Sequence, residues 1–448
     1  MMNELGRRIY SGIAALVVAS AIGGAAQAAN FTVLHNFTGN LGDGGSPTAL
    51  TVDANGNLYG RASLSANENS NGMIFELVRS TKGYHYQVLY NFAPCTPTSC
   101  PDGEGNSFGI GALFGALPLV VDPSGNLYGV TGQSNYDGGK FFELTRGGVY
   151  KVLYTFCESG FAKGNCPDGE APTSGLTYDG ASQGAAYDGK SPLYGSTLQG
   201  GNNGYGTIYK VYPDGVFQGL YSFCAVTSNC VDGGYPSGPL VVSGKVVYGT
   251  TTEGGVNYDS NGPGGGVVYS FHMSTGKEYL LHSFPNYSQT SHDGMGPQGL
   301  ILGSLNVPGQ LFGTTAYGGA HQSGIVFGID PSTKTETTYL TFCRKANCTD
   351  GASPTSNVTQ FGGDMVGLAN AGGEYSAGVA YDIKAGGGQK ILHQFCQYDG
   401  AGCPMTDDDG EEFASSLVVY GKSLYGVAYI GGNGAPNGGY GTVFRITP

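Results

Sequence analysis

Seven times the chain writes one pattern: an apolar run ending in Phe, an Asp-Gly, a Leu-Tyr-Gly-like strand, a Gly-rich stretch and a short strand such as Gly-Thr-Val-Phe. The Phe anchors are Phe37, Phe92, Phe156, Phe223, Phe284, Phe342 and Phe395, spaced by 55, 64, 67, 61, 58 and 53 residues. A period in this range marks a repeat architecture. A unit of about 60 residues buries too little core to stand alone, so the units must stack. This overrides a length prior of ~150 residues per domain.

Glycine supplies 81 of the 448 residues, far above the usual ~7%. The glycines recur at fixed places in the repeat, so they read as turns and bulges. Repeat one predicts strands over 48–53, 57–63, 72–78 and 85–92, and repeat two over 119–122, 126–131, 140–144 and 151–156. Their alternation and their β-branched and aromatic content carry that reading. No segment shows sustained helical periodicity. Four strands per unit in tandem give an all-β fold, a seven-bladed β-propeller of four-stranded antiparallel blades. A lone fourth-type strand, 31–37, precedes the first Asp-Gly, and a third-type strand, 441–446, stands last. The N-terminal strand is therefore expected to join the last blade and close the ring, which also removes open sheet edges. An open β-solenoid is the competing architecture.

The units Asp43…Pro47…Leu50…Asp53…Gly56-Asn57-Leu58-Tyr59-Gly60, Ser124-Gly125-Asn126-Leu127-Tyr128-Gly129 and Gly438-Gly439-Tyr440-Gly441-Thr442-Val443-Phe444 resemble the tandem GloVer repeat of bacterial exported proteins. The resemblance covers nearly the whole chain after residue 28. It implies propeller-like repeats and no activity or catalytic residue. Repeat six departs from the pattern, with Met365-Val366-Gly367 in place of Leu-Tyr-Gly, so its blade is expected to be less regular. Extra residues fall around 107–117 in repeat two and 181–191 in repeat three.

Residues 1–28 read as a signal peptide: Arg7 and Arg8, an apolar core over 13–22 too short to span a bilayer, and Ala26-Gln27-Ala28 as a cleavage site. Residues 29–448 form one propeller domain in this reading, secreted or periplasmic and without a membrane span. The formal net charge is −13, with 20 Lys plus Arg. Phosphate-backbone binding needs a basic face, so nucleic acid is excluded as a partner. Ten cysteines fall as five close pairs: Cys95/Cys100, Cys157/Cys166, Cys224/Cys230, Cys343/Cys348 and Cys396/Cys403. They come and go by whole pairs between repeats, as local disulfides would in an oxidising compartment. Zinc fails on spacing, because no C-x-x-C is present. No cofactor is expected.

Second-to-third loops and interblade connections share one face and are long; the other turns are short. Function on a rigid scaffold concentrates in its longer loops. That face carries the repeat aspartates Asp43, Asp102, Asp168, Asp232, Asp293, Asp350 and Asp409. They have two readings: Asp-Gly turn chemistry, or ligation of a cation or a glycan hydroxyl. The acidic run from Asp407 to Glu412 is the one place dense enough for Ca²⁺, yet it lacks EF-hand spacing. Tyr136, Tyr205 and Tyr440, with Tyr258 and Tyr317, lie in or near the long loops and could stack on sugars or anchor a protein. His292 beside Asp293, with His321 in a neighbouring loop, is a further candidate. His35, His282 and His393 each precede an anchor Phe by two residues, where Tyr90, Tyr154, Tyr221 and Leu340 stand in other repeats, and read as blade packing. The expected function is a binding module for glycan or protein ligands. A propeller-type polysaccharide lyase or hydrolase and a structural envelope protein are the alternatives.

Overall fold

The computed structural model describes residues 29–67, 71–96, 98–103, 117–158, 166–172, 174–226, 229–257, 264–287, 291–305, 307–396, 409–413, 415–432 and 439–448. Seven antiparallel sheets are arranged as blades, six of them ordered from innermost to outermost strand along the chain. Blade one is typical, with strands Gly45–Val52, Leu58–Leu64, Met73–Ser80 and Gly83–Asn91. The seventh blade takes Val418–Tyr420, Ser423–Ala428 and Thr442–Thr447 from the C-terminal end, and Asn30–Asn36 is its outermost strand. The ring is closed by the N-terminal strand, as the offset of the repeats requires.

Three repeat positions build each blade. The anchor Phe is wholly buried in all seven. Its N–H donates to the carbonyl of a glycine at the start of the third strand, as in Phe92 to Gly72 (3.1 Å) and Phe284 to Gly266 (2.9 Å). That glycine has a left-handed φ, 93° at Gly266, and a Cβ there would stand 2.0 Å from the Thr251 carbonyl oxygen. Only glycine fits.

The glycine of Leu-Tyr-Gly has a different task. Gly60, Gly129, Gly195, Gly249, Gly313, Gly367 and Gly426 each pair with a third-strand aromatic: Phe75, Phe142, Tyr209, Tyr269, Phe327, Tyr381 and Phe444. The ring lies across the missing side chain; a Cβ on Gly60 would meet Phe75 at 2.1 Å. This explains why blade six is regular, contrary to the expectation drawn from Met365-Val366-Gly367. Gly367 still receives Tyr381, and Met365 and Val366 are buried in the places of Leu and Tyr. The extra residues of repeat three fold as a short 3₁₀ turn, Ala181–Gln183, followed by the buried Tyr187. Residues 107–116 of the repeat-two insertion lie outside the described residues.

In blades three, four and six the ring over this glycine is a tyrosine, and the hydroxyls of Tyr209, Tyr269 and Tyr381 are buried without a partner among the described residues. An unmet buried hydroxyl costs about 1–3 kcal/mol. Tyr381→Phe is therefore expected to raise the urea midpoint, by about 1 kcal/mol in stability. A lower midpoint would show that the hydroxyl is bonded after all.

Candidate functional site

Every third-to-fourth strand pair carries a bulge at the third residue before the anchor Phe, as between Ile74 and Phe75 of blade one and between Val326 and Phe327 of blade five. A bulge re-aims the side chain that follows it. Here that side chain precedes the Phe by two residues, and it turns onto the repeat aspartate. His35 Nε2 lies 2.8 Å from Asp43 and His282 Nε2 2.9 Å from Asp293, while His393 bonds Asp409. The hydroxyls of Tyr90, Tyr154 and Tyr221 donate to Asp102 (2.6 Å), Asp168 (2.8 Å) and Asp232 (2.7 Å). Leu340 cannot donate, and in that blade Arg344 Nε takes its place on Asp350 at 3.3 Å. Loop N–H groups fill further lone pairs, such as Thr38 on Asp43, Ala93 on Asp102 and Cys396 on Asp409.

The seven aspartates thus stand on seven different interblade seams, each latching a loop to an outer strand. Asp102, Asp232, Asp350 and Asp409 are buried. Burial raises the pKa of Asp409, and His393 offsets this only in part. At Asp43, burial also pushes upward, but His35 and Thr38 outweigh it and hold the carboxyl below its ordinary range. The following glycine takes a left-handed φ in six seams; Gly294 does not.

Each latch is covered by one residue of the next blade's outermost strand, opposite Leu77, Leu144, Val211, Phe271, Ile329, Ile383 or Ile446. In four seams it is a ring: Tyr86 on His35 (4.0 Å between centroids), Tyr150 on Tyr90 (4.7 Å), Phe217 on Tyr154 (4.4 Å) and Phe31 on His393 (3.9 Å). In the other three it is polar: Glu278, Glu336 and Gln389. Burial raises the pKa of Glu336, with Asp293 adding to the effect and His282 opposing it.

The long loops are fastened covalently as well. Cys95–Cys100, Cys157–Cys166, Cys224–Cys230 and Cys343–Cys348 are disulfides. Cys396 is also disulfide-bonded, while Cys403, Asp407, Asp408 and Tyr258 lie outside the described residues. Glu170 reaches to 3.3 Å from Cys166 Sγ, but that sulfur is joined to Cys157.

On the same face Tyr136 and Tyr440 are each 36% exposed. Tyr440 leans on Gly39 and Gly45 of blade one's entry loop, and Tyr205 packs edge-on to Tyr235 at 5.3 Å. These three tyrosines belong to blades seven, three and two and form no cluster. A different pair does meet. Tyr317 (49% exposed) and Tyr287 (41% exposed) approach to 6.2 Å between centroids at an interplanar angle of 74°, across the seam of blades four and five. His292 and His321 are exposed on the adjoining loops, which are tied together by Gln322 Nε2 donating to the Ser291 carbonyl (3.0 Å). Tyr287 follows the anchor Phe284 by three residues; nothing in its repeat position marks it in the sequence.

Seven blades, a shared bulge and a latched loop at every seam define a tandem-repeat β-propeller. The family model of the Gloeobacter/Verrucomicrobia repeat matches residues 179–381 of the chain. No curated protein matches it. Solved structures of similar fold include TolB from Acinetobacter baumannii, at 12% identity over 70% of this chain and 57% of that one, with a TM-score of 0.37. A puromycin hydrolase matches at 12% identity over 86% and 50%, with a TM-score of 0.48. An oligogalacturonate lyase from Vibrio parahaemolyticus matches at 9% over 94% and 97%, also at 0.48. The chain spans 57% and 50% of the length of the first two.

Proposed function

We propose that the chain is an exported scaffold that binds a glycan through its long-loop face, after removal of residues 1–28. The observation that carries this reading is the exposed, edge-on pair Tyr287 and Tyr317. Tyrosine rings offer an apolar face to a sugar ring and a hydroxyl to its edge. His292, His321 and Gln322 on the adjoining loops add donors and acceptors to this face. The His282–Asp293 latch and the Gln322–Ser291 hydrogen bond fasten these loops before a ligand arrives, which lowers the ordering cost of binding. The disulfides also fit an oxidising compartment, and no described helix is long and apolar enough to cross a membrane. In this reading the repeat aspartates fasten the loops, and the tyrosines touch the ligand.

The test is a glycan array on residues 29–448, with the double variant Tyr287→Ala/Tyr317→Ala alongside. We expect a restricted set of glycans to bind and the double variant to weaken binding at least about tenfold, or about 1.4 kcal/mol, while melting as the wild type does. Binding that survives the double substitution would overturn this placement, and an array without any binder would overturn the glycan reading.

A further inference from the structure

The opposite, short-turn face holds a cleft that the long-loop reading does not use. It lies on the seam of blades one and two and has a volume of about 400 Å³, within the range of small-molecule sites. Its walls are the first turns of the two blades. In each turn an aspartate closes the innermost strand and accepts from its own loop. Asp53 takes the N–H of Asn55 and the N–H and side-chain amide of Asn57, and Asp122 does the same with Ser124 and Asn126.

The cleft is open because of one residue type. Tyr420 holds in blade seven the register position that Asp53 holds in blade one: each stands one residue past the pair Val419–Leu424 or Val52–Leu58. Tyr420 plugs the seam of blades seven and one. Its ring lies against Gly56, Arg79 stacks over it at 5.1 Å, and its hydroxyl accepts from Arg79 at 3.3 Å. On the far side, the seam of blades two and three is plugged by Tyr187, 2% exposed, which packs 6.0 Å from Tyr128 and 5.1 Å from Tyr178. Between these two plugs, blade one offers a carboxylate instead of a ring.

The lining sorts into two parts. Val78, Leu89, Val121, Leu127 and Leu144 supply apolar surface. The lining also holds three carboxylates, Asp53, Glu76 and Asp122, against a single cation, Arg146. Glu76 is 9% exposed and accepts from Gln87 Nε2 at 2.6 Å. The Tyr59 hydroxyl sits near Asp53 at 3.5 Å. Burial first, then Glu76 and Asp53, push its pKa far above the ordinary phenol range. Three carboxylates against one guanidinium give the lining an acidic balance, and Glu76 is the most buried of the three.

We propose that this cleft binds a small aliphatic amine, with the alkyl chain against the apolar lining and the ammonium at Glu76. A charge-assisted hydrogen bond to a sheltered carboxylate is stronger than a neutral one, and the aliphatic body gains from leaving water. An anion would meet three like charges, and a neutral alcohol would forgo the charge term.

Calorimetry with 1,5-diaminopentane as the probe tests this, with 1-pentanol and glutarate as controls. The wild-type chain is expected to bind the diamine with a Kd of about 1 mM or tighter, a value of −4.1 kcal/mol by the standard conversion, and neither control. Glu76→Gln keeps a partner for Gln87 and should weaken the diamine at least about tenfold. Gln87→Lys, which supplies an ammonium from the chain itself, should abolish binding without loss of melting temperature. The proposal is overturned if the wild type takes no diamine at about ten times that concentration, if 1-pentanol binds as well, or if either variant binds like the wild type.

Discussion

A chain beginning at Asn40 is expected to lose its fold as a whole, not to shed one strand. Asn30–Asn36 pairs with Thr442–Thr447 along its length and supplies the outer edge of blade seven. It also bridges to both neighbours. Phe31 stacks on His393 of blade six at 3.9 Å, and His35 holds Asp43 and stacks on Tyr86 of blade one. Phe37, wholly buried, packs 5.2 Å from Phe75. Losing one such Phe to a cavity costs about 3–5 kcal/mol, against a typical total of about 5–15 kcal/mol. The missing strand would further expose a row of unpaired backbone groups on Thr442–Thr447, a template for aggregation. The measurement compares chains beginning at Ala29 and at Asn40 by thermal melting and size exclusion. The shorter chain should show no cooperative transition or should elute as aggregate, and a peptide of residues 29–39 added in trans should restore part of the transition. A monomeric short chain melting within a few degrees of the longer one would refute closure as a source of stability.

The anchors, the blade count and the closure could be read from the sequence because each rests on a residue type with one physical use. Phe at a fixed offset must be buried, and glycine at a fixed offset must turn or make room. The latch was hidden for the opposite reason. His35, Tyr90 and Leu340 share a position but no chemistry, and what unites the first two with the aspartate downstream is a bulge that no residue type announces. Where that position became Leu340, the loop itself supplied Arg344, four residues later. The cleft was equally hidden. Long loops draw attention to one face, whereas this opening on the other depends on Tyr420 and Tyr187 filling the seams on either side. Tyr287 and Tyr317 come from consecutive repeats and meet only because those blades are adjacent in space.

Glu278→Gln is expected to remove a pH dependence that the wild-type ring carries. At four seams a ring covers the latch, but at the seam of blades three and four Glu278 does so, beside the buried Asp232 that Tyr221 holds at 2.7 Å. Glu278 Oε1 is buried without a hydrogen-bond partner among the described residues. Burial, with Asp232 adding to it and Lys334 opposing, pushes the Glu278 carboxyl from the ordinary 4.5 up to about 8. The sign follows from which state keeps the proton. Between about pH 4.5 and 8 the folded chain holds a proton that the unfolded chain has released, so stability falls as pH rises through that window. Below it both states are protonated and nothing is lost. Discounted for the part of the side chain that meets water, the loss is on the order of 2 kcal/mol. Raised carboxyls elsewhere, such as Glu170 and Glu253, slope the same way, so the informative quantity is the difference between wild type and variant. Melting curves at pH 5 and pH 8.5 should give near-equal midpoints for the two proteins at the lower pH, and a variant more stable by several degrees at the higher. Parallel curves across the range would mean that Glu278 is already solvated in the folded ring. In that case the seam of blades three and four would be held by Tyr221 and Asp232 alone, with the carboxylate turned outward as a neutral bystander.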